Sequence, residues 1–528
     1  MKTYYIIFKL LSFFFLSVIL FFSCTDGKKD TISGSSLTDT VTTRSGLITG
    51  KTDLSGDVHI YLGVPYAAPP VGDLRWKDPQ PVSSWNGVKN CTEFSASAMQ
   101  PEPKPFGVYK EEFLTPPGNL SEDCLYLNIW TGAKTTDEKR PVMAYIHGGA
   151  FFTGSGACPI YDGESMAKKG VVFITINYRL GIFGFFAHPE LTAESEHHAS
   201  GNYGLLDQIA ALKWIRNNIA AFGGDPDNIT IQGQSAGSMS VNCLVATPLA
   251  KGLFQRGIGE SGACMIPGSM LDIDSLPTVE AKGIKYAGSL KIQSIADLRK
   301  VPDTVLVKSS WMFMRPVVDG YVFPVSIPEI FNEGKQNDVP VITGWNMNDG
   351  SVMGEPKKAA EYVKDIQKKY GKDAQEFLKY YPAGNDKEAL ASQESYGTDI
   401  TFGIQGYTWA NTQIRTGQSN IYLYFFTRKL PATPDFEKYG AFHTGEVPYA
   451  LANLSKCNRP WEPADHELSD LMSDYWVNFA KTGDPNGENL PVWPAWNKQD
   501  KKAMLFGKES KTGNLPDEKG LEFLLKHM

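Results

Sequence analysis

Short, continuous apolar runs alternate with amphipathic stretches along most of this chain. Pro141–Ile146, Val171–Ile176, Gly257–Gly262, Val339–Gly344 and Asn420–Thr427 read as short strands covered on both faces, with the last taken as the final strand. Leu125–Trp130 alternates apolar and polar positions, as a strand does. Leu205, Ile209, Leu212, Ile215 and Ile219 fall on one helical stripe, which Phe222-Gly-Gly-Asp-Pro226 stops. Strands alternating with helices predict a mostly parallel sheet in an α/β fold. Between Gly46 and Trp85, brief apolar runs among Pro and Gly predict hairpins and ordered loop, which add antiparallel strands at the N-terminal edge. From about 263 to 435 the segments lengthen and become helical, so a helical subregion is expected over the active site. Within it, the Lys- and Glu-rich stretch from Lys357 to Tyr380 reads as a solvated face.

One run carries candidate chemistry. Ile229-Thr-Ile231 leads into Gly233-Gln-Ser-Ala-Gly237, a Gly-x-Ser-x-Gly sequence followed by helix-compatible residues. That is the strand–turn–helix setting of a nucleophile elbow. The tight turn excludes Cβ atoms at Gly233 and Gly237, and Ser235 projects at a helix start, where free N–H groups favour negative charge. A serine nucleophile needs a base, and the base needs an orienting group. In the order nucleophile, acid, histidine, three histidines lie far enough downstream. His527 is next to the C-terminus and His466 opens a helix. His443 lies in the Gly-rich loop Tyr439-Gly-Ala-Phe-His-Thr-Gly-Glu446 after a strand, so it is the expected base. Two carboxylates, Asp349 and Asp319, each follow a β segment and precede glycine; Asp319 reads more as a turn residue. His147-Gly-Gly149 follows the Pro141 strand, so the N–H groups of Gly148, Gly149 and Ala236 are the expected oxyanion donors, and His147 is expected to be structural.

Charge and targeting narrow the setting. With 51 Lys and Arg against 58 Asp and Glu, the net charge is −7, which argues against a nucleic-acid partner. Lys2 and Lys9 precede an apolar run, Leu10–Phe22, that is short for a membrane span and suits a signal peptide. Ser23-Cys24 at its end predicts a lipoprotein-type signal over 1–23, with Cys24 lipidated, and residues 24–40 as a flexible tether. The body is thereby expected outside the cytoplasm, held at a membrane by the lipid alone or, alternatively, secreted. No metal-ligand spacing is visible, and no cofactor is expected.

These residues together resemble the type-B carboxylesterase family, which includes cholinesterases, fungal lipases and bacterial para-nitrobenzyl esterases. The resemblance runs from about Val41 to about Trp496. It is carried by Gly63-Val-Pro-Tyr-Ala67, Pro69-Pro-Val-Gly-Asp-Leu-Arg75, Ser121-Glu-Asp-Cys-Leu-Tyr-Leu-Asn128, Asn177-Tyr-Arg179, Gly201-Asn-Tyr-Gly-Leu-Leu-Asp-Gln208, Gly440-Ala-Phe-His443 and Thr482-Gly-Asp-Pro485, with the motifs above. It implies an α/β-hydrolase fold forming one catalytic domain over 41–528. It implies a triad of Ser235, Asp349 and His443, two structural ion pairs, Arg75–Glu122 and Arg179–Asp207, and a first disulfide, Cys91–Cys124. Three positions depart from the family. Gln234 stands where Glu is usual, which disfavours cationic choline esters; Asp349 replaces the usual Glu; and Cys91 lies several residues early. The activity implied is serine carboxylic ester hydrolysis, through an acyl-enzyme, on small or medium esters. A lipase or a deacylase of esterified glycans is the alternative among enzymes, and a non-catalytic binding protein the alternative outside them. Phe151, Phe152 and Trp345 are expected in the core or around an acyl pocket.

Overall fold

The computed structural model describes residues 35–350, 356–431 and 437–528. The expected signal segment and Cys24 lie outside the described residues. An eleven-stranded mixed sheet organises the rest. In chain order its strands are β1 (Lys51–Thr52), β2 (His59–Pro65), β3 (Tyr126–Thr131), β4 (Arg140–Ile146), β5 (Val172–Ile176) and β6 (Gly224–Gln234). They continue with β7 (Arg256–Glu260), β8 (Val341–Asn346), β9 (Ile421–Phe426), β10 (Lys502–Phe506) and β11 (Lys511–Asn514). Across the sheet the order is β11-β10-β9-β8-β7-β6-β4-β5-β3-β2-β1.

The strands from β10 to β5 run parallel, and β3, β2 and β1 close the N-terminal edge antiparallel. Every residue of β5, β8 and β9 is buried, because helices cover both faces, which is why these strands read as unbroken apolar runs. The strand at Ile421–Phe426 is not the last, as its apolar run suggested. The hairpin β10–β11 follows it and adds an antiparallel strand at the other edge. β11 is Lys-Thr-Gly-Asn and largely exposed, so no apolar run announces it. An edge strand carrying lysine also resists pairing with another chain.

Four helices matter for the site. The stripe from Leu205 lies on α1 (Tyr203–Asn218). A 3₁₀ turn, Ile219–Phe222, follows it, and Gly223 ends that turn at φ 76°, a backbone state that costs glycine little. α2 (Ala236–Ala246) springs directly from β6 and is wholly buried. α3 (Ile404–Thr416) continues from a single π turn, Asp399–Gly403. α4 (Glu518–Lys526) packs beside that turn, with Leu521 close to Gly403. The Lys- and Glu-rich segment forms two helices, Ala359–Tyr370 and Ala374–Tyr380, the first burying only Tyr362 and Ile366. Among the described residues no helix is long and apolar enough to cross a membrane.

Two expectations are corrected. Cys91 and Cys124 are both buried and both free thiols. Cys91 is pinned between strands, its N–H donating to Thr49 O and its carbonyl accepting from Leu62 N, both at 2.7 Å. Those main-chain bonds fix where its side chain starts, and its Sγ lies 4.0 Å from Gly63 O rather than bonded to Cys124. Burial raises the Cys91 thiol's pKa to about 11, which keeps it protonated. The packed chain also begins earlier than the end of the expected tether at residue 40. Leu37 is buried, its N–H bonds Lys134 O, and Ser36 bridges Thr135.

Both ion pairs of the sequence reading are present. Arg75 Nε donates to Glu122 Oε2 at 2.7 Å, and its Nη1 caps the carbonyls of Arg299 and Val301. Arg179 grips Asp207 through Nε at 2.8 Å and Nη2 at 2.7 Å, both side chains fully buried.

Candidate active site

Chain order reverses across β4, with β5 on one side and β6 on the other. In an open α/β sheet the crevice at the carboxyl ends of such strands is where ligands bind. The loops leaving β4 and β6 supply His147-Gly-Gly149 and Ser235.

Ser235 sits between β6 and α2 at φ 59°, ψ −122°, a strained conformation for a residue with a Cβ. Two main-chain bonds hold it there: its N–H donates to Glu260 O at 2.8 Å, and its carbonyl accepts from Met239 N at 2.9 Å. The flanking glycines are required by packing. A Cβ on Gly233 would meet the Gly237 carbonyl, and one on Gly237 would overlap Ile146 O at the end of β4. The turn therefore brings Ser235 beside the β4 loop.

His443 follows β9 on a loop fixed from several sides. Its Nδ1 lies 3.0 Å from Asp349 Oδ1, and its carbonyl accepts from Tyr109 Oη at 2.9 Å. Phe402, on the π turn, stacks on the imidazole with centroids 4.6 Å apart. π turns recur at functional sites because the extra residue re-aims a side chain. The Gln234 amide nitrogen is 3.3 Å from Nε2 and 3.4 Å from Nδ1, while Thr444 Oγ1 donates to Gln234 Oε1 at 3.2 Å.

Asp349 follows β8 and is fully buried. Its Oδ2 accepts from Ser261 Oγ and from Asn346 N, each at 2.8 Å, which leaves Oδ1 aimed at His443. Asn346 also ties the acid's loop to the base's loop, donating through Nδ2 to Phe442 O at 2.8 Å and to Glu446. The competitor Asp319 is engaged elsewhere. It accepts three N–H bonds, from Tyr321, Val322 and Phe323, as a loop-organising carboxylate. His466 is exposed on its helix, and His527 faces Asp373.

Gly148, Gly149 and Ala236 line the same cavity as Ser235 and His443. Among the described residues none of their three N–H groups donates to a protein acceptor. Gly149 adopts φ 108°, and a Cβ there would overlap the Thr153 carbonyl. His147 is buried, stacked on Tyr178 at 4.5 Å, with Nδ1 against Gly148 O. Burial lowers its pKa to about 4, so it is neutral and shapes the loop.

The cavity has a volume of about 620 Å³, ample for a small ligand. Phe151 and Phe152 line it with Phe113, Met239 and Phe402; Trp345 does not, and packs edge-on against Phe425 in the core. Ser261, Asn346, Tyr109 and Phe402 escaped the sequence reading. Ser261 was visible only as the polar residue at the end of an apolar run. Tyr109 and Phe402 carry no motif and reach His443 only through tertiary packing.

The family model described as "Carboxylesterase family" matches residues 38–524. Fumonisin B1 esterase from Sphingopyxis macrogoltabida is 35% identical over 491 residues, covering 89% of this chain and 87% of that protein. Para-nitrobenzyl esterase from Bacillus subtilis is 35% identical over 494 residues, covering 90% and 96%. A solved structure of PNB esterase superposes with a TM-score of 0.76 at 32% identity, over 93% of this chain and all of that one. With an α/β-hydrolase sheet, a serine elbow and relatives at this level, the chain belongs to the carboxylesterase family and is a carboxylic ester hydrolase.

Proposed function

We propose that the protein hydrolyses carboxylic esters by a two-step acyl transfer in which Ser235 is the nucleophile. His443 takes the Ser235 proton as the hydroxyl attacks the ester carbonyl. The N–H groups of Gly148, Gly149 and Ala236 receive the oxyanion. His443 then gives its proton to the leaving alcohol, and water repeats the cycle on the acyl-enzyme. Asp349 holds the imidazole's tautomer and stabilises its cation. The observation that carries this reading is the 3.0 Å contact between Asp349 and His443 beside the cavity that Ser235 also lines. Uncharged Gln234 beside the imidazole and the aromatic wall favour neutral or anionic esters of small to medium size over choline esters.

Turnover of para-nitrophenyl acetate tests these roles. Ser235→Ala is expected to abolish it, and Asp349→Asn to lower kcat by about 10⁴ through the wrong tautomer. Asp319→Asn is expected to act on stability instead. Wild-type turnover in Ser235→Ala, or a large loss of kcat at Asp319 alone, would reject the assignment.

We further propose that residues 1–23 are removed and that Cys24 carries the lipid that holds the enzyme at an extracytoplasmic membrane surface. The charged start, short apolar run and Ser23-Cys24 support this. Mass spectrometry of the mature N-terminus is expected to find a lipidated Cys24. Membrane-bound protein with an unmodified Cys24 would contradict it.

A further inference from the structure

The charged positions of the cavity wall differ in what already surrounds them. The Asp349 carboxylate is taken up by Ser261, Asn346 and His443. Glu102 and Lys104 line the rim and are both exposed, so water and salt screen their charges. Arg315 is different. It is half-buried, it lines the cavity beside Met314, and its one protein hydrogen bond among the described residues runs from Nη1 to Asp272 O at 2.9 Å. No carboxylate among the described residues lies within ion-pair distance of its guanidinium.

That single bond ties the guanidinium to the backbone next to the wall residues Met270 and Leu271, while part of its donor fork stays open. A guanidinium so placed matches a carboxylate with two parallel hydrogen bonds. A half-buried cation in a wall of Phe and Met side chains gains more from an anionic partner than an exposed one does. The group beside the nucleophile agrees in sign. Gln234 is neutral and adds no fixed anion at that position to repel a negative substrate.

We propose that Arg315 selects esters bearing a second, free carboxylate, such as hemiesters of dicarboxylic acids. The ester carbonyl reacts at Ser235 while the distal carboxylate docks on Arg315. The chemistry is unchanged: the acyl–oxygen bond breaks, water supplies the new hydroxyl, and the alcohol leaves with a proton. This inference rests on the ester-hydrolase reading above.

Full-length enzyme is assayed by pH-stat on monoethyl adipate and on ethyl hexanoate, a neutral ester of nearly the same length. The measured quantity is the ratio of the two kcat/KM values within each protein. Wild type is expected to favour the hemiester, and Arg315→Met to lower the ratio by about tenfold or more, the worth of one charge-assisted contact. Arg315→Lys is expected to fall between the two, because it keeps the charge and loses the pair of parallel hydrogen bonds. In wild type alone, added salt is expected to raise KM for the hemiester and leave ethyl hexanoate unmoved, a reading that stands even where a variant fails to fold. An equal ratio in wild type and Arg315→Met, or a hemiester KM indifferent to salt, would overturn the proposal while leaving ester hydrolysis in place. Wild type inert toward both esters would remove the proposal and the hydrolase reading together.

Discussion

Behind the elbow lies a residue whose protonation couples the site's scaffold to pH. Glu260 ends β7, and its carbonyl holds the Ser235 N–H. Its side chain is fully buried, accepting from Trp476 Nε1 at 2.9 Å and from Gln232 Nε2 at 3.4 Å. Burial disfavours the carboxylate more than those donors favour it, and the pKa rises to about 8. The unfolded chain holds this proton less tightly, with a pKa of about 4.3. Folding therefore binds a proton between those values. The group's contribution to stability is complete at low pH, declines as pH rises toward about 8, and is constant beyond. Glu260→Gln keeps an acceptor for Trp476 and removes the titration. The variant is expected to melt several degrees above wild type near ~pH 9 and to match it near ~pH 5. A melting difference independent of pH would show that Glu260 stays ionised when buried. Glu446 experiences the same pressure, from burial first and then from Asp349 and Glu260.

Elements meet at the site because charged and polar side chains tie their ends together. Arg179, just after β5, reaches Asp207 on α1 and also donates to Lys77 O, so strand, helix and N-terminal loop share one guanidinium. Removing one member strands a buried charge, at a cost of about 3–5 kcal/mol, whereas replacing both with apolar groups costs far less than the sum. Chemical unfolding of Arg179→Met, Asp207→Leu and the double variant checks this, and additive losses would argue against a buried pair acting as a unit. These ties explain which elements were legible in the sequence. The buried parallel strands and α1 announce themselves because burial on both faces, or on one helical stripe, writes itself directly as apolar spacing. The elbow is legible because only glycine fits at 233 and 237. The β10–β11 hairpin is not, because an edge strand is half solvated. The free thiols at Cys91 and Cys124 are not, because pairing depends on where two separate segments leave their sulfurs, which residue spacing does not record.

At the scale of the molecule, three loops spread over more than two hundred residues of chain converge at one end of the sheet. Ser235 arrives by the β6–α2 turn, Asp349 by the end of β8, and His443 by the loop after β9; Asn346 and Ser261 lock the acid, and Phe402 covers the base. The order of these residues was visible beforehand because the chemistry demands a nucleophile, an acid and a base. Their supports were not, since a stacking ring or a hydroxyl behind a carboxylate can come from anywhere in the chain. The central claim is that this convergence activates one serine. Treating the folded enzyme with a fluorophosphonate and mapping the adduct by peptide mass spectrometry tests it most directly. The account predicts a single stoichiometric adduct on Ser235, lost in His443→Ala; an adduct on another residue, or none on folded protein, would contradict it.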